Sequence, residues 1–346
     1  MAAHKLTSEA LVPAVWVHRG QGIEAVHTAA IAVVDQASRL THALGDAEQV
    51  FFSRSSIKPL QALPLVEAGG LERFGFGPEE LALCAASHNG SEQHRAIVLG
   101  MLQKLGLTEA ALQCGAGLPL QLKLFGKYPE HGEDKDPLRH NCSGKHSGFL
   151  ALAQLLQQPL DSYLDPAGAA QTRVRQAVAD ACEVDVASLL LGTDGCSAPN
   201  FALPLRSLAV GFKNLATASA EAPSRVRAAM LAHPLLVSGE RRLDYDLSLA
   251  FPGSVLVKGG AEALLLLAFS QPALGIAIKV GDGAARALGP ILVETLKQLG
   301  LIDDIAQFPT LARYEAPAVT NARKLKTGEI RARFELQVAV PTTSSL

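Results

Sequence analysis

Ser55 precedes Lys58 by three residues in the stretch SRSSIKPLQALPLVEAG, where an extended pattern gives way to a helical one. Positions i and i+3 share one face of a helical turn, so the spacing predicts that the amine reaches the hydroxyl. A serine hydroxyl is a weak nucleophile, and a neutral lysine amine can take its proton. Neutrality requires a depressed pKa, supplied by desolvation or a second cation. A helix start also offers free amides to an oxyanion. The same residues serve equally as a capping serine and a surface lysine. The apolar positions that follow, Leu60, Leu63 and Val66, bring the two readings level.

Three further groups of residues could take part. In SVLVKGGAEA, Lys258 stands near a strand end before two glycines and Ala261. This is the K-T-G strand pattern of penicillin-recognising serine enzymes, with Gly259 in place of threonine. Glycines there let a substrate backbone lie close, or they mark a bulge. In LCAASHNGSEQH, Ser87 is the polar relay of a serine–lysine site, a second nucleophile, or a plain turn residue. Cys142 in HNCSGKH and Cys196 in GTDGC sit in glycine-containing turns, with His140, Lys145 and His146 close in sequence. Two turn thiols with such neighbours suggest a soft metal site, most simply zinc. Spacing alone favours His146 as third ligand, on the helix face of Cys142. Two reduced structural thiols are the other reading. Cys182 continues the stripe of Val178 and reads as inert core.

The elements that must carry these groups follow from periodicity. AVWVHR and EAVHTAAIAVVD read as a hairpin joined at Gly20–Gln21–Gly22. Pro59 fits the first turn of a helix, Pro64 bends or shortens it, and Gly69–Gly70 ends it. Pro78–Glu79–Glu80 opens a short helix. Asn89 and Glu92 have capping-box spacing ahead of a stripe of Ile97, Val98, Met101, Leu102 and Leu105. A helix is expected from Asp165–Pro166, with Val174, Ala177, Val178 and Ala181 inward. Turn-rich patches cover KYPEHGEDKDPLRHNCSGKH and GTDGCSAPN. SVLVKGGAEALLLLAF and GIAIKV read as strands, and DGAARALGPILVETLKQLGL as a closing helix. Strands at both ends and helices between predict a mixed αβ domain from residues 1–70 and 241–346, with a mainly helical domain of 71–240 inserted.

The chain has 346 residues, 48% hydrophobic and 18% charged, with a net charge of -2. That balance attracts neither nucleic acid nor an anionic membrane. No apolar stretch approaches the roughly 20 residues of a membrane helix. The first residues lack the basic start and apolar run of a signal peptide. Five widely spaced cysteines fit a reducing cytoplasm better than a disulfide framework.

Taken together, SRSSIKPLQALPLVEAG, CAASHNGSEQHR, RHNCSGKHSGF, GTDGCSAPN, AHPLLVSGE and KGGAEA resemble the rhizobial-type (class 3) L-asparaginases, in that family's order, from about residue 11 to 310. The resemblance implies an α+β fold like the serine β-lactamases and glutaminases, with a three-layer αβα domain. It implies hydrolysis of L-asparagine to L-aspartate and ammonia. The first serine–lysine pair falls on Ser55 and Lys58, and the second on Ser87 and Lys258. Zinc falls to Cys142, Lys145 and Cys196. This displaces His146 from the ligand set and leaves it to orient the site or touch substrate. The metal then shapes the pocket and does not activate water. The expected mechanism has Ser55, or in second place Ser87, attack the amide carbon with Lys58 as base. Amides at Ser55 and near Ala261 hold the oxyanion, and Arg54 and Asp194 bind the charged ends of the amino acid. A homodimer is also implied. The rivals are another serine–lysine amidohydrolase, such as a glutaminase or β-lactamase, and a zinc-stabilised binding protein without chemistry.

Overall fold

A computed structural model of the chain describes residues 10–120, 122 and 136–339. The expected turn over residues 127–135, and the stretch before Ala10, lie outside them. Twelve strands are present among the described residues: β1 (Val12–Arg19), β2 (Gly22–Val34), β3 (Leu40–Leu44), β4 (Val50–Phe52), β5 (Leu190–Thr193), β6 (Pro199–Pro204), β7 (Val255–Gly260), β8 (Leu264–Phe269), β9 (Leu274–Val280), β10 (Ala318–Thr320), β11 (Lys326–Ala332) and β12 (Gln337–Val338). Nine form one sheet in the order β10-β11-β1-β2-β9-β8-β7, with β3 beside β2 and β12 beside β3. The other three form a small sheet, β4-β6-β5.

Strand β2 is the spine. Its first half pairs with β1 in the expected hairpin, and its second half pairs with β9. Side chains alternate across a strand, and here both faces are buried. Ala29, Ile31 and Val33 join Val257, Leu265, Leu267, Ile276 and Ile278 in one core, under the helix Ala285–Gln298. That helix presents Ile291, Leu292 and Leu296, as its periodicity predicts. Ala30, Ala32 and Val34 join Leu266, Ala268 and Ala277 in the other core, under the helix Leu205–Thr217. Small residues let this second helix come close: a Cβ on Gly275 would lie 2.2 Å from the Ala209 carbonyl oxygen. Helices on both faces of one sheet give three layers. The helix Leu205–Thr217 comes from the middle of the chain and the other from its last part.

Several local expectations change. Pro64 divides the predicted helix into Lys58–Gln61 and Leu63–Glu67, and Gly69, at φ 72, turns the chain into a further short helix, Gly70–Phe74. The helix Glu92–Lys104 is capped by Ser91 and His94, not by Asn89 and Glu92. Asn89 instead packs under Gly239, whose missing Cβ leaves room for its amide. The helix expected from Asp165–Pro166 starts at Ala169, because the Asp165 carboxylate accepts from Ala167 N–H at 2.9 Å and holds a turn first. Lys258 lies inside β7, and no register shift interrupts the β7–β8 pairing, so the glycines mark no bulge.

Candidate active site

Strand β4 ends at Phe52, and the chain enters a 3-10 turn, Arg54–Ile57, before the helix that Lys58 begins. Pro59 takes the first turn of that helix, where a missing N–H costs nothing. Lys58 follows Ile57 and Leu60 into the interior and is 0% exposed, while Ser55 stays half-buried on the outer side. The predicted contact between them is therefore not made. The Lys58 amine lies 2.7 Å from Ala86 O, 3.0 Å from Ser87 Oγ, 3.2 Å from Asn141 O and 3.1 Å from Cys142 Sγ. Burial pushes this amine below its ordinary value; Cys142 opposes the shift and the Lys145 charge adds to it.

Ser87 follows the short helix Pro78–Cys84 and is itself buried. Its N–H donates to Val237 O at 2.9 Å, and its carbonyl oxygen accepts from Arg242 Nη1 at 3.0 Å. His88 points away from it, as neighbours on a chain do, and bonds Ser143 Oγ at 3.0 Å. Its ring stacks on His94 at 4.8 Å.

Lys258 is 0% exposed in the middle of β7, and its amine donates to Gly259 O at 2.6 Å. Burial pushes it down to about 7, against the pull of Asp244 and with the help of the Lys58 and Arg242 charges. The end of β7 packs on the turn that carries Ser55: a Cβ on Gly260 would lie 3.2 Å from both Ser53 O and Ser56 N. Ala261 is exposed in the hairpin turn beyond.

The two turn cysteines come together. Cys142 immediately precedes the helix Ser143–Leu155, which carries Lys145 and His146. Lys145 Nζ donates to Cys196 Sγ at 3.0 Å. A hydrogen bond from Cys196 and the charges of Lys58 and Lys145 hold the Cys142 thiol well below its usual range despite burial. Burial lowers the Lys145 amine, and Cys196 and Cys142 more than offset it, so its value is raised. His146 Nδ1 lies 2.7 Å from Tyr163 OH, which already accepts from Gln113 N–H at 2.8 Å. The Nε2 of His146 has no hydrogen-bond partner among the described residues. Lys145, in the first turn of the same helix, lies beside the Cys196 thiol. No group of three or more His, Cys, Asp and Glu side chains placed for a metal occurs among the described residues. Two thiols and an amine are a different donor set: the thiols are soft ligands of the kind zinc takes, and the amine would have to lose its proton to join them.

Arg54 adopts φ 49, and its Nε bonds the half-buried Asp194 carboxylate at 2.7 Å. Burial raises that carboxyl, and the Arg54 bond, the Gly195 N–H and the Lys145 charge together hold the group below its ordinary value. The two residues expected to bind opposite ends of a substrate thus bind one another. Glu262, in the turn after β7, lies 3.9 Å from the same guanidinium. Arg242 and Asp244 were not singled out by their sequence context, which reads as an ordinary helix start with acids in its first turn.

The chain matches the family model described as L-asparaginase II over residues 15–332. A search of curated proteins gives no match. Among solved structures, Mglu in its native form in 4.3 M NaCl aligns at 17% identity, covering 80% of this chain and 63% of that one, with a TM-score of 0.40. Mglu in its tris and glutamate form gives 17% identity, 80% and 60% coverage, and a TM-score of 0.41. A β-lactamase from Mycobacterium bovis gives 13% identity, 78% and 94% coverage, and a TM-score of 0.33. The chain thus spans under two thirds of these Mglu chains.

Proposed function

The chain belongs to the L-asparaginase II family, and on that premise we propose that it hydrolyses L-asparagine to L-aspartate and ammonia through a serine–lysine acyl-enzyme. The observation that carries the mechanism is the 3.0 Å bond from the Lys58 amine to Ser87 Oγ, both groups buried. Lys58, lowered by desolvation, takes the Ser87 proton as Oγ attacks the side-chain amide carbon. The tetrahedral adduct collapses as that proton passes to the leaving nitrogen, and ammonia departs. Water, activated by the same amine, then cleaves the β-aspartyl ester and restores the serine. The Lys145 charge adds to burial in favouring a neutral Lys58, and the Lys58 charge in turn lowers Lys258.

Ser55 is the second reading for the attacking oxygen. It stands half-exposed at the start of a helical turn, against the end of β7, where Ser87 is closed in. The two serines are separated by ammonia release from L-asparagine in Ser87→Ala and Ser55→Ala beside wild type. Ser87→Ala is expected to lose on the order of 1,000-fold in kcat. Full turnover in that variant, or an aspartyl adduct trapped on Ser55 by mass spectrometry, moves the nucleophile to Ser55. Turnover of glutamine or a penicillin in place of asparagine makes the chain a different amidohydrolase. No turnover of any of the three substrates leaves the binding protein.

Zinc belongs to this reading, held by Cys142, Lys145 and Cys196. It would neutralise the thiolates and fix the start of the helix Ser143–Leu155 beside Lys58. Elemental analysis of purified protein should give one zinc per chain, lost in Cys142→Ala; a zinc-free protein that takes up none on titration overturns it. The cytoplasmic setting and the homodimer are carried with the family reading. Light scattering that returns a single-chain mass removes the dimer.

A further inference from the structure

One short segment grips Ser87 by its main chain on both sides. Val237 accepts the Ser87 N–H at 2.9 Å, and Arg242 donates to the Ser87 carbonyl at 3.0 Å. Between them Gly239, at φ 106, closes onto Asn89, two residues past the serine. Arg242 also turns the other way: its Nε lies 3.4 Å from Asp244 Oδ1. Asp244 is 4% exposed, and its second oxygen sits under β7, where a Cβ on Gly259 would meet it at 3.5 Å. That oxygen has no hydrogen-bond partner among the described residues. Asp244 also lines a cavity of about 10 Å³ with Ser238 and Ser248, room for a single water. Burial raises the Asp244 carboxyl, and the Arg242 and Lys258 charges outweigh it and keep it ionised.

A buried carboxylate is costly unless its charge is matched. Its place here, between a guanidinium and the strand that bears Lys258, makes sense as a fixed link. We propose that Arg242, acting with Asp244, is a positioning residue of the reaction: one guanidinium holds the main chain of Ser87 and, through the carboxylate, the β7 segment of Lys258–Gly259. The link rests on the reading of Ser87 and Lys258 as reacting groups. It joins parts of the chain that no covalent neighbour holds together, because Ser87 lies in a loop after one helix and Lys258 in an edge strand. A displacement of about 1 Å between reacting groups can cost on the order of 100-fold in rate. Neither residue touches the reacting atoms, so the cost falls on kcat, with little change in KM.

The test is steady-state kinetics with thermal melts on full-length Arg242→Gln, Arg242→Lys, Asp244→Asn and the double variant Arg242→Gln with Asp244→Asn. Arg242→Gln is expected to lose on the order of 100-fold in kcat while KM moves less than about threefold. Asp244→Asn should lose a similar amount, and the double variant no more than the worse single, since both cut one link. Arg242→Lys keeps the charge beside Asp244 and should recover about tenfold of the loss, lacking the second arm of the fork. A kcat in Arg242→Gln within twofold of wild type overturns the proposal. So does a loss that only tracks the unfolded fraction, fully additive single losses, or an Arg242→Lys no better than Arg242→Gln. Should Arg242→Gln fail to fold, Asp244→Asn and Arg242→Lys carry the same comparison. Ser87→Ala measured alongside separates the two ideas. Full activity there removes the role of Ser87 and the link with it, whereas a dead Ser87→Ala beside a wild-type Arg242→Gln removes the link alone.

Discussion

The amine of Lys58 is met by two carbonyls, a hydroxyl and a thiol inside a shell with no water-facing side. Such a group is a strong base only when it has lost its proton, and burial makes the loss easier. Lys258, at about 7, is the partner whose titration falls in a measurable range. If the reaction needs a neutral amine in this pair, kcat/KM rises as pH passes upward through about 7, and the rise disappears in Lys258→Met. A profile flat from pH 6 to 8.5 would sink that assignment. The motifs around Ser55, Ser87, Cys142 and Cys196 were legible as chemistry-bearing stretches, and the structure brings Lys58, Ser87 and Cys142 into contact and Lys145 beside Cys196. Which hydroxyl the amine touches was not legible. Sequence spacing assumes one helical face, but Ser55 sits in a 3-10 turn and is partly exposed, while Lys58 begins the next helix and is fully buried. The roles of Arg242 and Asp244 were equally hidden, because only tertiary packing buries Asp244 under β7 and brings Arg242 to Ser87.

The site depends on how closely two helices approach. Gly144 and Gly148, four residues apart on the helix Ser143–Leu155, face the end of the helix Pro78–Cys84. A Cβ on Gly144 would stand 2.4 Å from Leu83 O, and one on Gly148 would stand 2.8 Å from Cys84 Sγ. These glycines let Cys142 and the Ala86–Ser87 segment both reach Lys58. Gly144→Ala should therefore destabilise the fold by about 1–3 kcal/mol through overpacking, read as a lower urea midpoint, and should reduce turnover in the molecules that remain folded. An unchanged midpoint would show that the helices can part freely. The motif containing Gly144 read as a turn, but the turn ends at Cys142 and Gly144 lies in the helix Ser143–Leu155; its glycines carry no periodic signal of close packing. Elements with strong periodicity were read well, among them the β1–β2 hairpin and the helix over Ala285–Gln298. Strands β10, β11 and β12 were missed, since β10 and β12 are two or three residues long and the polar KTGEIRA of β11 shows no alternating apolar face.

For the molecule as a whole, buried histidines set the acid limit of stability. Burial pushes His94 down to about 4 and His88 well below its ordinary value, and their rings stack. The unfolded chain binds these protons near 6.5 and the folded one does not, so stability is full above about 6.5 and falls as pH drops toward 4. Each such group contributes on the order of 1 kcal/mol per pH unit within that window. The urea midpoint should fall between pH 7 and 4.5, and less steeply in His94→Gln; a midpoint that holds constant would contradict the burial of the pair. The mixed αβ class and the return of strands near the chain's end were legible from periodicity. The small sheet β4-β6-β5 was not, because its strands are three to six residues long and β4 lies more than a hundred residues before the other two.

Strand β2 pairs with β9, Ala29 against Val280. Everything that lies between them in the chain must be made before the sheet can close. Contacts of such separation are entropically slow to form, which places this protein among the slow folders of its size. Lys58 and Ser87, by contrast, are 29 residues apart, one at the start of a short helix and the other in the loop after another. The inner pair can meet while the chain is still growing, and Lys258 joins it only with the last strands of the sheet. Assembly of the site is thereby ordered in time: a hydroxyl and its amine first, Lys258 at the end.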